Sequence, residues 1–268
     1  MIEIIGFACA ILIGLTLGLI GGGGSILTVP VLVYLLGVSP VLATAYSLFI
    51  VGITSLVGAV QYMRRGMVSY KTGFVFAAPA LSAVFFTRKF IVPAIPEQLF
   101  GIGDFRLTKD IFIMLLFAVL MLMASTSMIK KRKDEGVAGA QGKFKFTLLS
   151  LEGFVVGSLT GLVGAGGGFL IIPSLVVLAK LPMHFAVGTS LLIIATNSLI
   201  GFFGDVSGTY SIDWIFLLTF SIFAIAGIFC GSYLANKIPG HRLRPAFGWF
   251  VLITGTFILA KEIIKGFK

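Results

Sequence analysis

Ten stretches of nearly unbroken apolar sequence, set apart by short polar or glycine-rich interruptions, occupy residues 2–20, 25–36, 41–60, 72–92, 110–129, 147–163, 169–179, 184–203, 213–235 and 244–264. Most come close to the roughly 20 residues that a helix rising about 1.5 Å per residue needs to cross a hydrocarbon core. The pattern predicts an all-α polytopic membrane protein. Two runs, 25–36 and 169–179, are about half as long as the others. Runs of that length either span or turn back as one arm of a re-entrant hairpin, so ten crossings and eight long helices are both open. Pro30, Gly37 and Pro40 keep 25–36 separate from 41–60, because proline removes a backbone donor and glycine weakens a helix. Residues 87–109, with Pro93, Pro96, Gly101, Gly103 and mixed charge, read as a solvent-exposed connection.

The two short runs hold equivalent places in an internal repeat. Gly18-Leu19-Ile20-Gly21-Gly22-Gly23-Gly24 leads to Pro30, and Gly161-Leu162-Val163-Gly164-Ala165-Gly166-Gly167-Gly168 leads to Pro173. The offset, 161 − 18 = 143, holds without a gap over 14–58, where 18 of 45 positions are identical. Shared apolar composition explains some matches, but not glycines, prolines and serines in one register. The chain therefore divides into a first transmembrane repeat at 1–130, a basic linker at 131–146 and a second repeat at 147–268. Each repeat is expected to hold about four long helices and one short half-helix behind a glycine-rich break. An odd number of segments per repeat predicts that the second copy is inverted relative to the first.

Composition agrees with lipid as the solvent: 58% of residues are hydrophobic and only 11% charged, whereas a soluble domain carries roughly a quarter charged residues. Met1-Ile2-Glu3-Ile4 lacks a basic leader, so the first apolar run is expected to remain as a membrane helix. The formal charge of +10 would suggest nucleic acid in a soluble protein. Here the basic residues sit in short loops, which reads as the positive-inside rule and implies no nucleic-acid partner. Counting every run as a crossing puts loops 61–71, 130–146 and 236–244 on one side, the cytoplasmic face of the cell's inner membrane. That side holds 13 of the 20 basic residues, Lys180 included, and the loop with Asp205 and Asp213 falls opposite.

Bare backbone at membrane depth is tolerated only inside protein or beside a water-filled cavity. Four consecutive glycines break a helix and leave their own N–H groups uncovered. The helices beginning near Ser25 and Phe169 would present their first N–H groups and positive dipole ends to the breaks, an anion site that needs no buried cation. Interrupted segments at matching positions of two repeats also point to a transporter's central site. Gly21, Gly22, Gly23, Gly24, Ser25, Gly164, Gly166, Gly167 and Gly168 are thus candidate substrate ligands, with close helix packing as the rival reading. For the GxxxG pairs Gly14/Gly18 and Gly157/Gly161, packing is the reading adopted. Ser47 and Thr54 lie seven apart on one helix face and match Ser190 and Asn197 on the other, so all four are candidates to bond an oxyanion; interhelical bonding is the alternative. Tyr46 and Thr189 rank below them.

Ionisable residues inside the spans are sparse. Glu152 reads as snorkelling toward the basic linker, Asp205 as a cap or surface charge, and His184 as interfacial. Lone Cys9 and Cys230 and two histidines supply neither a disulfide framework nor a metal cluster, and no cofactor is implied. An intramembrane enzyme would need a nucleophile with its base, which no grouping of these residues provides.

The doubled glycine motif, together with Ala43–Leu48, Ala186–Leu191, the turn at Gly66 or Gly208, and Gly227 and Gly231 before Leu234-Ala235, resembles the TauE/SafE sulfite exporter (TSUP) family across nearly the whole chain. The first repeat departs from the pattern at Ala77–Ser82, which lacks the glycines its partner has at 227 and 231. The resemblance implies outward transport of sulfite, sulfonates or other organic anions, with the lipid bilayer and a small anion as partners. A channel rather than a carrier, a non-transporting assembly or sensor protein, and the oligomeric state, a homodimer included, are left open.

Overall fold

The computed structural model describes residues 2–22, 24–102, 105–129, 146–206, 212–235 and 240–267. Counting π-wound turns with the helices they extend, these residues form ten helices and one small hairpin. The first half holds α1 Ile2–Ile20, α2 Ser25–Leu35, α3 Pro40–Arg64, α4 Tyr70–Ala94 and α5 Lys109–Ile129. The second holds α6 Phe146–Val163, α7 Gly168–Val177, α8 Met183–Val206, α9 Trp214–Ala235 and α10 Gly240–Gly266. By length and composition α3, α4, α5, α8 and α9 can each cross a membrane, and the stretches Ile5–Ile20 and Thr147–Val163 are shorter apolar helices. Each half therefore holds four long helices and one short one.

Local chemistry explains the boundaries. Pro40 opens α3, where its fixed φ suits a first turn and its missing N–H has no intrahelical role. Gly66 follows the end of α3 at φ +67°, closing the helix with its N–H on the Met63 carbonyl. Pro30 deprives α2 of a donor, and from Val31 to Leu35 the segment continues as a π-helix.

The connection expected at 87–109 is only partly that. Residues 87–91 continue α4 as a π-helix and 92–94 complete it, with Thr87 and Arg88 buried. Pro93 stands in the first turn of the last helical piece, where it does no harm, rather than marking a loop. Beyond it, Gln98–Ile102 and Phe105–Thr108 pair antiparallel as β1 and β2. The basic linker, 236–239 and 207–211 lie outside the described residues.

Glycine sets the closest helix contacts. A Cβ on Gly18 of α1 would stand 2.6 Å from the Ile228 carbonyl oxygen of α9, and Gly14 meets the Ala224 carbonyl directly. Gly157 and Gly161 of α6 meet Ala80 and Thr87 of α4 in the same way. The GxxxG pairs thus pack helices. The symmetry is loosened where the sequence departs from it: Gly227 and Gly231 meet the Ile11 and Leu15 backbone, so α1 and α9 both contribute glycines, whereas in the α4–α6 contact the glycines lie on α6.

Exchanging the two halves maps packed pairs onto packed pairs. α1 lies on α9 as α6 lies on α4, α3 touches α9 as α8 touches α4, and α3–α8 and α5–α10 map onto themselves. The finest detail repeats too. Gly58 is covered by Ile228 and Leu191, and Gly201 by their counterparts Val84 and Leu48. α3 and α8 form the buried middle, while Phe74, Ile215 and Ile222, 74%, 82% and 65% exposed, face outward as lipid contact would require.

Candidate functional site

Gly21, Gly22 and Gly24 in the first tract and Gly164–Gly167 in the second lie outside helices, and each tract is shaped by the opposite half. Gly21 ends α1 with φ +80°, a conformation only glycine adopts freely, and a Cβ there would lie 2.6 Å from Cγ1 of Val187 on α8. Its repeat mate Gly164 has φ +72° and rests on Thr44 of α3, the repeat mate of Val187. The tracts then diverge. Gly166 and Gly167 are also left-handed, and Gly167 caps α7, whereas Gly24 caps α2 in right-handed geometry with its Cα against Thr16 and Leu17. Gly23 lies outside the described residues.

The two breaks touch. A Cβ on Gly22 would stand 2.6 Å from the Gly168 carbonyl oxygen, and one on Gly168 would stand 2.6 Å from Cα of Gly22. Gly166 faces Val51, Ile194 and Ser198. Val51 and Ile194 are repeat mates near the middles of α3 and α8, so the breaks meet where the two central helices cross. Backbone meets backbone there, in place of the open cavity that uncovered glycine amides suggest.

Around that crossing Ser47, Thr54, Ser190 and Asn197 are all 0% exposed, but they are not equivalent. Thr54 Oγ1 donates to the Ile50 carbonyl at 2.6 Å, so its hydrogen is used within its own helix. Ser190 Oγ donates to the Val187 carbonyl at 2.8 Å and reaches the Gly21 carbonyl at 3.4 Å, linking α8 to the first break. Ser25 Oγ donates to the Gly22 carbonyl at 2.8 Å. Ser47 Oγ and both amide atoms of Asn197 have no hydrogen-bond partner among the described residues, and neither do Ser55 Oγ and Ser198 Oγ beside them. A buried polar group without a partner costs about 1–3 kcal/mol, so five such atoms on the two central helices call for a reason.

The secondary candidates Tyr46 and Thr189 prove to be repeat mates in matching roles. The Asp213 N–H donates to Tyr46 Oη at 2.8 Å, and the Ser69 N–H donates to Thr189 Oγ1 at 2.9 Å. Each bond ties a central helix to the start of the neighbouring α9 or α4. A cleft of about 840 Å³ opens beside the first, between Phe7, Leu42, Tyr46, Asp213 and Phe216.

Three carboxylates have partners inside the protein. Asp205 is neither cap nor surface charge: at 7% exposure its Oδ2 forms an ion pair with Arg88 Nη1 at 3.3 Å, and that nitrogen donates its hydrogen bond to Thr44 Oγ1 at 3.0 Å. Glu152 does not snorkel but accepts the Ser174 hydroxyl at 2.5 Å, and Glu262 accepts from Tyr34 at 2.7 Å. Arg88 was legible in part, since it falls inside the apolar run 72–92; the prolines after it made the stretch look like a loop. Ser55 and Ser198 are identical residues at the repeat offset (198 − 55 = 143), the one signal in the sequence that marks them.

The family profile described as Sulfite exporter TauE/SafE matches residues 6–258. A probable membrane transporter protein of Xylella fastidiosa (strain 9a5c) is 28% identical over 253 residues, covering 92% of this chain and 91% of that one. The probable membrane transporter protein YunE of Bacillus subtilis is 29% identical, over 87% of this chain and 88% of its own. A further probable membrane transporter protein, from Methanocaldococcus jannaschii, is 26% identical over 97% and 94%. No solved structure matches the chain significantly.

Proposed function

Since the chain belongs to the sulfite exporter TauE/SafE family and is a multi-pass membrane transporter, we propose that it carries small anions outward by alternating access, with sulfite and organic sulfonates as the leading substrates. The observation that carries this reading is the meeting of the two glycine breaks at α3 and α8, the helices on which buried Ser47, Ser55, Asn197 and Ser198 have no hydrogen-bond partner among the described residues, Ser198 lying against Gly166. Hydroxyl and amide donors, peptide N–H groups and helix starts suit an oxyanion. The polar atoms at the crossing would gain their missing hydrogen bonds when the anion arrives.

In this reading the two halves are inverted repeats, the basic loops 61–71, 130–146 and 236–244 face the cytoplasm, and the anion sits near the midplane. Separation of Gly22 from Gly168 opens the site, and the bonds Tyr46–Asp213 and Thr189–Ser69 act as the two gates, one toward each face. Export of an anion from a negative interior is favoured by about 2.3 kcal/mol per charge per 100 mV, which removes the need for a proton relay.

The test is sulfite flux and counterflow in proteoliposomes of purified protein. Saturable counterflow is expected for a carrier, and its absence alongside rapid flux would indicate a channel. Gly22→Leu and Gly167→Leu should abolish transport; if both fold and carry sulfite like the parent, the site is elsewhere.

A further inference from the structure

The Arg88–Asp205 pair joins the span Tyr70–Ala94 to the last residue of the span Met183–Asp205, with side chains 0% and 6% exposed. Two ions withdrawn from water cost several kcal/mol each, and apolar residues of similar size would hold the helices at least as well. Ionisable groups buried in helices that cross a membrane point to function before stability. The surroundings are built for this one. Arg88 sits in the π-wound turn 87–91, a local widening that recurs at functional sites. Gly204 gives its stem room on α8, since a Cβ there would lie 3.0 Å from the Arg88 Cβ.

The pair also adjoins the candidate anion site. Arg88 Nη1 bonds Thr44 Oγ1, and Thr44 is the residue on which Gly164 rests. One side chain therefore separates the guanidinium from the second glycine break. Among the described residues the repeat mates of this pair place no charge beside the first break. The offsets that relate the halves, 143 for α3/α8 and 144 for α4/α9 (Val84 to Ile228), put Tyr62 at the counterpart of Asp205 and Ser232 at that of Arg88. The charge is thus a chemical asymmetry between the breaks, added to the difference in their backbone geometry.

We propose that Arg88 is a specificity-determining residue of the transport path: a substrate oxyanion entering or leaving past the second break takes the guanidinium from Asp205, and Asp205 takes it back when the anion departs. A carboxylate and a sulfite or sulfonate group both offer oxygens that suit a guanidinium, so the anion and Asp205 compete for one side chain. Asp205 is then an internal rival that stops the anion from being held too tightly. This proposal rests on the anion-transport reading.

The experiment measures sulfite, sulfate and methanesulfonate binding to the purified protein by titration, with sulfite flux in proteoliposomes alongside. Arg88→Gln/Asp205→Asn removes both charges together, leaves no uncompensated ion, and is expected to fold but bind sulfite at least roughly tenfold more weakly. Arg88→Lys keeps the charge but loses the planar fork, and should bind sulfite more weakly than the parent but more tightly than the double variant. Asp205→Asn alone should bind roughly tenfold more tightly, transport more slowly, and recover its lost thermal stability when sulfate is added, an effect a purely structural ion pair would not show. If the double variant binds and carries sulfite like the parent, or if it fails to fold and Asp205→Asn gains neither affinity nor anion-dependent stability, the assignment is overturned. A parent protein that binds and moves none of the three anions would overturn the transport reading itself, and this one with it.

Discussion

Ser47 and Asn197 hold polar atoms at 0% exposure with no partner among the described residues, which separates their cost to the fold from their use to a ligand. Ser47→Ala removes an unsatisfied hydroxyl without opening space, so thermal unfolding in detergent should shift little, or upward by the equivalent of about 1 kcal/mol. A hydrogen bond to a charged ligand is worth about 1.5–3 kcal/mol, so the same change should weaken sulfite binding by at least roughly tenfold. Thr54 differs, because its hydroxyl already bonds the Ile50 carbonyl. Thr54→Val should leave affinity within about twofold, and a large loss would show that the hydroxyl turns toward the substrate. Nothing in the periodicity distinguishes Ser47 from Thr54. Both lie on one helix face, and only the rotamer each adopts decides which hydrogen is spent.

At the scale of elements the glycines fall into groups that sequence spacing does not separate. Gly14 faces the Ala224 carbonyl with no room for a side chain, so Gly14→Leu should prevent α1 from seating on α9 and abolish folded protein on size exclusion. Gly22 and Gly168 face each other across the meeting breaks. Gly168→Ala would force them apart, costing about 1–3 kcal/mol of stability and most of the sulfite flux. Gly66 has open space around it and only its left-handed φ to protect. Gly66→Ala should cost about 1 kcal/mol and leave flux per folded molecule unchanged. The repeat register identified the tracts, the half-helices behind them and the GxxxG contacts. It did not show α4 continuing through Pro93, because a proline in a first turn and a proline in a loop look alike until the helix behind it has somewhere to pack.

For the whole molecule, the matching bonds Ser69–Thr189 and Asp213–Tyr46 mark the two ends of the central helix pair. In a background with Cys9 and Cys230 replaced by serine, Ser69→Cys/Thr189→Cys and Tyr46→Cys/Asp213→Cys should each form a disulfide under oxidation. Sulfite counterflow should stop with either lock closed and return on reduction. Counterflow that persists with both locked would exclude rocking of the halves. Sidedness is checked by impermeant maleimide on intact cells: Tyr70→Cys should be protected and Trp214→Cys labelled, and the reverse pattern would invert the topology.

The sequence by itself determined that this is a helical membrane protein of two related halves, since apolar run length answers to bilayer thickness and a fixed offset of glycines, prolines and serines survives independently of contacts. It also singled out both breaks, because glycine is the one residue whose backbone freedom is visible in its name. Only the tertiary structure decided that the breaks press on each other at the crossing of α3 and α8, which hydroxyls are left without partners, and that Arg88 and Asp205, 117 positions apart (205 − 88), form one buried pair. Those features depend on which faces meet across the bundle, and a linear pattern records a face without recording what lies opposite it.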